Sequence, residues 1–347
     1  GVNDSAERNT LSGNLDAGVY IDDGFGSTTG NRIQGNYIGL MGSGAGYRGN
    51  VYGVYVATAS GNTIGSNYDS LNDAVEGNII AGNTGNGVVI AAAASTGNRI
   101  HRNSIYGNGG MGIDLADNGV TANDSITPPY DSDSGANGLQ NYPTTIYGYD
   151  MGRTLNFSLR TTPSSTMRIE VFASGACDGT GNGEGQFFVT SQMFAIPGGG
   201  EISGSFSGLV VPLGMPVITM TATNTVTGDT SEFSSCADFT PQTFTVTNTN
   251  DSGAGSLRQA ITDANVQPGK DTIAFNIAGC PGGICTITPP TELPNLIRPV
   301  IIDGTTQPGA SCPNNLRIVI QGNATNDQAL RFLSLASTSE VRGLVIG

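Results

Sequence analysis

Asn78-Ile79-Ile80-Ala81-Gly82-Asn83-Thr84-Gly85-Asn86-Gly87-Val88-Val89-Ile90 decides how this chain folds. The stretch reads N-x-[IL]-x-G-N-x-x-x-G-[VI]-x-[IL]. The same pattern runs without a gap from Asn9 through Leu11, Gly13, Asn14, Gly18 and Val19 to Ile21. It returns from Asn103 through Ile105, Gly107, Asn108, Gly112 and Ile113 to Leu115. A fourth copy begins Asn31, Ile33, Gly35, Asn36 and reaches Gly53, Val54 and Val56 after an insertion. A shorter lead-in, G-N-x-I, stands at Gly30-Asn31, Gly61-Asn62 and Gly97-Asn98. Each apolar run alternates: Val19 and Ile21 share one face, with Tyr20 on the other. No run is long enough for a helix, and each ends in Gly or Asn, which tolerate positive φ. Such a unit cannot bury its apolar face alone. Stacked copies can, which predicts a solenoid of parallel strands over residues 1–120. Asn at equivalent places then forms ladders, each amide bonding the coils above and below.

Composition agrees. Of 347 residues 52 are Gly, 12% are charged and none is Trp, which argues against a helical bundle or a doubly wound α/β enzyme. Gly shows no G-X-Y period, which excludes collagen. The net charge of −14 leaves no basic surface for phosphates, so nucleic acid is not an expected partner. No 18-residue apolar run predicts membrane insertion. No signal-peptide pattern opens the chain, so Gly1 reads as the start of a processed or excised segment. Of the 14 basic residues only Lys270 is lysine; genomic composition bias explains this as readily as a harsh habitat.

The N-x-I-x-G-N…G-V-x-I coils resemble those of bacterial right-handed parallel β-helix surface and adhesin repeat proteins, whose fold is pectate-lyase-like. The resemblance returns at Thr247–Ile261 (TNTNDSGAGSLRQAI), which is similar to the segment opening such helices, and at Asp271–Phe275. Ser256 with Gln259 has the spacing of a capping box, and Leu257, Ile261 and Ala264 share one face of a short helix able to lid a coil stack. Val300–Gly304, Arg317–Gly322 and Leu344–Gly347 read as the first coils. Residues 144–240 differ. They carry longer alternating runs at Leu155–Leu159, Met167–Phe172 and Val217–Thr223, which predict an antiparallel β-sandwich. Modules of that kind accompany the helices in the resembling proteins.

The expected fold is therefore all-β: a right-handed parallel β-helix split between the two chain ends, with an intervening antiparallel β-sandwich. Its segments are 1–120 (C-terminal coils), 121–143 (linker), 144–240 (sandwich) and 241–347 (N-terminal cap and first coils). Gly343–Gly347 matches Gly61–Gly65, and the polar stretches that follow Gly65 and open the chain also match. The register at Gly347 then continues at Gly1. The expected assembly joint comprises Gly1, Val2, Leu11, Val19, Leu344, Val345, Ile346 and Gly347. Its halves meet within one chain, between neighbouring copies head-to-tail, or along a tandem polypeptide.

The expected disulfides involve Cys177, Cys236, Cys280 and Cys285 and imply an oxidising compartment. Cys177 and Cys236 lie near opposite ends of the sandwich segment. Cys280 and Cys285 flank Pro281-Gly282-Gly283, and pairing of either with Cys312 is equally open. Asp131-Ser132-Asp133-Ser134-Gly135-Ala136-Asn137 alternates oxygen ligands, which suggests calcium at Asp131, Asp133 and Asn137 with help from Asp124. It is not an EF-hand, because Tyr142 stands where the closing Glu belongs. Asp178, Asn182 and Glu184 form a weaker second group. No catalytic residue is assigned. The outward strand position reads Tyr20, Tyr55, Val89 and Asp114, one carboxylate where glycosidic cleavage needs two. Asp114 is expected to bond backbone at a strand end, Tyr20 and Tyr55 to stack together, and His101 to be a surface residue. The expected function is a non-enzymatic extracellular or cell-surface structural protein. It assembles with copies of itself into fibres, with a surface polysaccharide as a further partner. The alternative is a polysaccharide lyase or glycoside hydrolase.

Overall fold

A computed structural model describes residues 8–24, 28–42, 44–124, 127–147, 154–212, 214–266, 269–322, 328–333, 336 and 338–347. The chain is all-β apart from one α-helix and short 3-10 turns among the described residues. Contacts gather it into two compact units. One comprises 1–146, 157–205 and 209–237, and the other 147–156, 206–208 and 238–347. The expected coil, linker and sandwich segments thus largely share the first unit.

In the first unit the repeats become β1 (Thr10–Leu11), β2 (Ala17–Ile21), β3 (Arg32–Ile33), β4 (Tyr37–Ile38), β5 (Tyr52–Val56), β6 (Thr63–Gly65), β7 (Ile79–Ala81), β8 (Val88–Ile90), β9 (Arg99–His101), β10 (Ser104–Tyr106) and β11 (Ile113–Leu115). They form three parallel sheets: β1-β4-β7-β10, β2-β5-β8-β11 and β3-β6-β9. Equivalent repeat positions pair, giving the inward columns Leu11–Ile38–Ile80–Ile105 and Val19–Val54–Val88–Ile113. Burying one such side chain contributes roughly 1.5–3 kcal/mol. The repeat glycines Gly13, Gly35, Gly82 and Gly107 turn the corners at φ of 73°, 68°, 69° and 62°, where a Cβ is strained.

Three asparagine ladders run through the corners. The first joins Asn9, Asn36, Asn78 and Asn103 at 2.9–3.0 Å. The second joins Asn14, Asn50, Asn83 and Asn108, each rung 2.9 Å. The third joins Asn31 and Asn62 to Asn98, again at 2.9 Å, and Asn98 N donates to Asn137 Oδ1 at 3.0 Å. Within each ladder the Oδ1 of one Asn accepts both the backbone N–H and the Nδ2–H of the preceding coil's Asn, as at Asn83. Past the first rung of each ladder these asparagines are buried, so each amide answers a backbone group that water cannot reach.

The antiparallel part of this unit contains β12 (Thr144–Tyr147), β13 (Leu155–Arg160), β14 (Thr166–Ser174), β15 (Phe187–Ala195), β16 (Glu201–Phe206), β17 (Val217–Asn224) and β18 (Ala237–Asp238). They form sheets β12-β13-β16 and β15-β14-β17-β18, with β14 antiparallel to both β15 and β17. This part closes the last parallel coil. Phe172 and Phe233 belong to the same apolar cluster as Ile105 and Ile113. Three buried glutamates accept the coil's outermost N–H groups. Glu170 takes Arg102 N (3.1 Å), and Glu184 takes Gly107 N (2.5 Å) and Asn108 N (3.1 Å). Glu232 takes Leu115 N (3.0 Å) and Thr121 N (2.9 Å). Carboxylates thus stand where a further coil would have placed carbonyls and asparagines.

The second unit contains β19 (Thr243–Val246), α1 (Leu257–Val266), β20 (Asp271–Phe275), β21 (Cys285–Ile287), β22 (Val300–Asp303), β23 (Ile318–Ile320), β24 (Glu340–Arg342) and β25 (Leu344–Ile346). Its sheets, β19-β20-β22-β24 and β21-β23-β25, are parallel. Helix α1 buries Leu257, Ala260, Ile261 and Ala264 in the cluster of Val246 and Ile273, closing the first strands. Ser256 Oγ accepts from Gln259 N at 3.1 Å, but the Gln259 side chain turns to Asp263, so only half of the expected capping box forms.

β24 passes to β25 across Gly343 alone (φ 69°), whereas three residues, Gln34-Gly35-Asn36, separate β3 from β4 and residues 57–62 separate β5 from β6.

Candidate functional site

Burial along the inward columns locates two unfinished faces. In the first unit Ile38, Val54, Ile80 and Val88 are fully buried, and Ile105 and Ile113 nearly so beneath the antiparallel part. Leu11 and Val19, at the other end of the same columns, are only half-buried. In the second unit Ile302 and Ile320 are 0% and 1% exposed, whereas their outer neighbours Val341 and Ile346 are 41% and 50% exposed. Leu344 pairs with the buried Ile318 and is half-buried. Val345 pairs with Val319 on the outward face, so Leu344 and Ile346, not Val345, carry the core column of β25. Phe332 extends another column from Leu296 and is 39% exposed. Sequence reading missed Phe332 and Val341, because neither sits in a recognisable repeat. Gly1 and Val2 of the expected joint lie outside the described residues, and Gly347 N donates to Ile320 O at 3.1 Å.

The two faces have opposite polarity. Among the described residues, the first stack is covered after its last strands and has half-buried core positions at its first. The second is covered by α1 at its first strands and has partly exposed core positions at its last. Each open face combines apolar side chains aimed along the column with an edge strand on each sheet.

The acidic loop gathers part of its expected set. Ligand atoms of Asp124, Asp131 and Asp133 lie within 4.8 Å of one another. Burial and then the charges of Asp124 and Asp131 push the Asp133 carboxyl up to about 6. Asp131 accepts from Asn141 N, Gln140 Nε2 and Thr161 Oγ1, and Asp124 from Asp131 N and Asn141 Nδ2. Asn137 is a correction: its Oδ1 serves Asn98 N and its Nδ2 donates to Asn98 O and Thr230 O, so it ends a ladder and does not join the carboxylates. In the weaker group, Asn182 Nδ2 donates to Phe233 O and Glu184 caps a coil.

The outer column holds no paired carboxylates at the positions considered. Tyr20 and Tyr55 stack at 5.4 Å with an interplanar angle of 5°. Asp114 accepts from Asn118 N, Gly119 N and Asn86 Nδ2, as expected of a strand-ending residue. His101 departs from expectation. It is 5% exposed and edge-on to Tyr68, with Nδ1 3.2 Å from Ser66 O. Burial, reinforced by the Arg168 charge, pushes its pKa down to about 3. Tyr68, from the insertion between β6 and β7, packs against it, which the strand pattern alone could not reveal.

Two disulfides form, Cys177–Cys236 and Cys280–Cys285, and Cys312 is free and exposed. Paired cysteines place the chain in an oxidising compartment. Among the described residues no helix is long and apolar enough to cross a membrane. No family model matches this chain, and no curated protein does.

Proposed function

We propose that this chain is a structural module of an extracellular or cell-surface fibre. In this reading the two parallel stacks are parts of a right-handed parallel β-helix, and the antiparallel part is a β-sandwich that ends it. Assembly is head-to-tail: the open face at Leu344 and Ile346 of one copy packs on the open face at Leu11 and Val19 of the next. A single observation carries the proposal: each stack is closed by its own residues at one end and presents half-exposed core residues at the other. A contact between two different faces is heterologous, and it yields a filament where the rotation between copies does not close. The disulfides and the small charged fraction suit an exposed, durable fibre. In sedimentation velocity the purified chain should form a concentration-dependent ladder of species, and negative stain should show unbranched filaments. A monomer at all accessible concentrations contradicts the proposal.

A calcium ion at Asp124, Asp131 and Asp133 belongs to the same reading, supported by the crowding of three carboxylates. Calcium should raise the melting temperature by linkage, and Asp133→Asn should remove the rise. Identical melting in calcium and in chelator leaves the loop as a hydrogen-bonded turn.

A further inference from the structure

A second feature of the first unit is independent of fibre assembly. A cleft of about 460 Å³ opens beside the last coil, with Tyr47 and Tyr106 on one wall and the 174–179 loop with Asp178 and Gln186 on the other. Its volume falls in the range of small-ligand sites.

Three observations show that the cleft is held in shape. Tyr47 is paired across a short hairpin with Leu40, and Arg48 N bonds Gly39 O at 2.8 Å. Its ring lies against the corner glycine Gly82, where a Cβ would stand 2.3 Å from Tyr47 Cδ1, and its hydroxyl reaches toward Gly107. The opposite loop is tied down by the Cys177–Cys236 disulfide, and Asp178 Oδ1 accepts from Thr180 N at 2.8 Å. Between the walls, the Glu184 carboxylate is occupied by Gly107 N, Asn108 N and Asn108 Nδ2, so it fixes the floor and is not a free charge.

Tyr47 is 54% exposed although one ring face is seated on backbone. The rest of the side chain is accessible. The exposed Tyr20 is different, because its ring is stacked on Tyr55. An exposed aromatic ring beside a polar loop that carries Asp178 suits a pyranose ring, which has an apolar face and a polar rim. Charge narrows the class. No Arg or Lys lines the cleft, while Asp178 does, in a chain of net charge −14. Acidic sugars are thereby disfavoured. A quaternary ammonium is best held by several rings that surround it, whereas here the two tyrosines, Tyr47 and Tyr106, stand on one wall.

We infer that this cleft is a binding site for neutral saccharides, with the sugar stacked on Tyr47 and its hydroxyls bonded to Asp178 and the 174–179 backbone. The inference does not rest on the fibre reading and can be tested on monomer.

The test is saturation-transfer NMR with maltotriose, cellotriose and chitotriose at millimolar concentration, with trigalacturonate and tetramethylammonium alongside. At least one neutral trisaccharide should bind. Tyr47→Ala should weaken it about tenfold, the scale of one lost stacking contact. Tyr55→Ala, in the closed tyrosine stack, should leave binding unchanged. Asp178→Ala, on the opposite wall, should also weaken binding and gives a second reading if Tyr47→Ala disturbs its loop. Three outcomes overturn the inference: no neutral trisaccharide binds, binding is indifferent to both Tyr47→Ala and Asp178→Ala, or only a charged probe binds.

Discussion

At the scale of single residues, asparagine carries this structure. Each ladder position needs a side chain that accepts two N–H groups from one coil and donates to the next, within a corner that turns at glycine. Serine is too short and aspartate cannot donate. The cost of losing a rung depends on where it stands. Asn83 is 2% exposed, and without it Asn50 N, Asn50 Nδ2 and Asn108 Oδ1 lose partners. Asn83→Ala should cost about 2–4 kcal/mol, the sum of an unmade buried bond and stranded donors. Asn14 stands on the open face, exposed, with two bonds to Asn50. Asn14→Ala should cost about 1 kcal/mol or less. Denaturant unfolding of both variants checks the gradient, and equal losses would remove the distinction between the closed and open ends. These rungs were readable in advance because the Asn spacing repeats. Asn137 was read as a metal ligand, since its neighbours alternate oxygen-bearing side chains. Its separation of 39 positions from Asn98 hid its place in the ladder.

At the scale of elements, the unexpected feature is the three-glutamate closure of the last coil. Glu170 sits inside an alternating strand, where a charge looks like an outward position, and nothing in Met167–Phe172 tells which face meets the coil stack. The strands themselves were legible from their alternation, and α1 from its apolar face. The packing of one element on another was not, since it depends on shape and not on period. Closure by buried carboxylates has a pH consequence. Burial pushes Glu170 and Glu232 up to about 7 from an ordinary 4.5, and Glu184 moves in the same direction. A carboxyl with a raised folded pKa binds more protons when folded. Its contribution is therefore complete below the unfolded value and is lost as pH rises through the folded one. His101, pushed down to about 3, works the other way between its ordinary 6.5 and that value. Three carboxyls outweigh one imidazole. The melting temperature should thus rise as pH falls from 7.5 toward 5, and Glu232→Gln should flatten that slope. A melting temperature that falls on acidification, or a slope unchanged in Glu232→Gln, contradicts the account of the closure.

For the whole molecule, the division of labour between the ends matters most. Closed ends set where the stacks stop, and open ends set what they can join. The repeat made the parallel stacks legible from sequence, and the capping segment at Ser256–Ala264 pointed to a second beginning. The place of β25 among the parallel strands was not legible, because Leu-Val-Ile between glycines matches more than one corner. The most direct test blocks the two faces separately. Ile346→Asp places a charge on the second unit's open face and leaves Leu11 intact. Leu11→Asp does the reverse. Each charge would be buried unpaired in a joint, at a cost of several kcal/mol, roughly the scale of burying an uncompensated charge. Analytical ultracentrifugation of each variant alone should show monomer. An equimolar mixture retains one good face of each kind and should form heterodimers that grow no further. Assembly by either variant alone, or a mixture that stays monomeric while the wild-type chain polymerises, would contradict head-to-tail stacking.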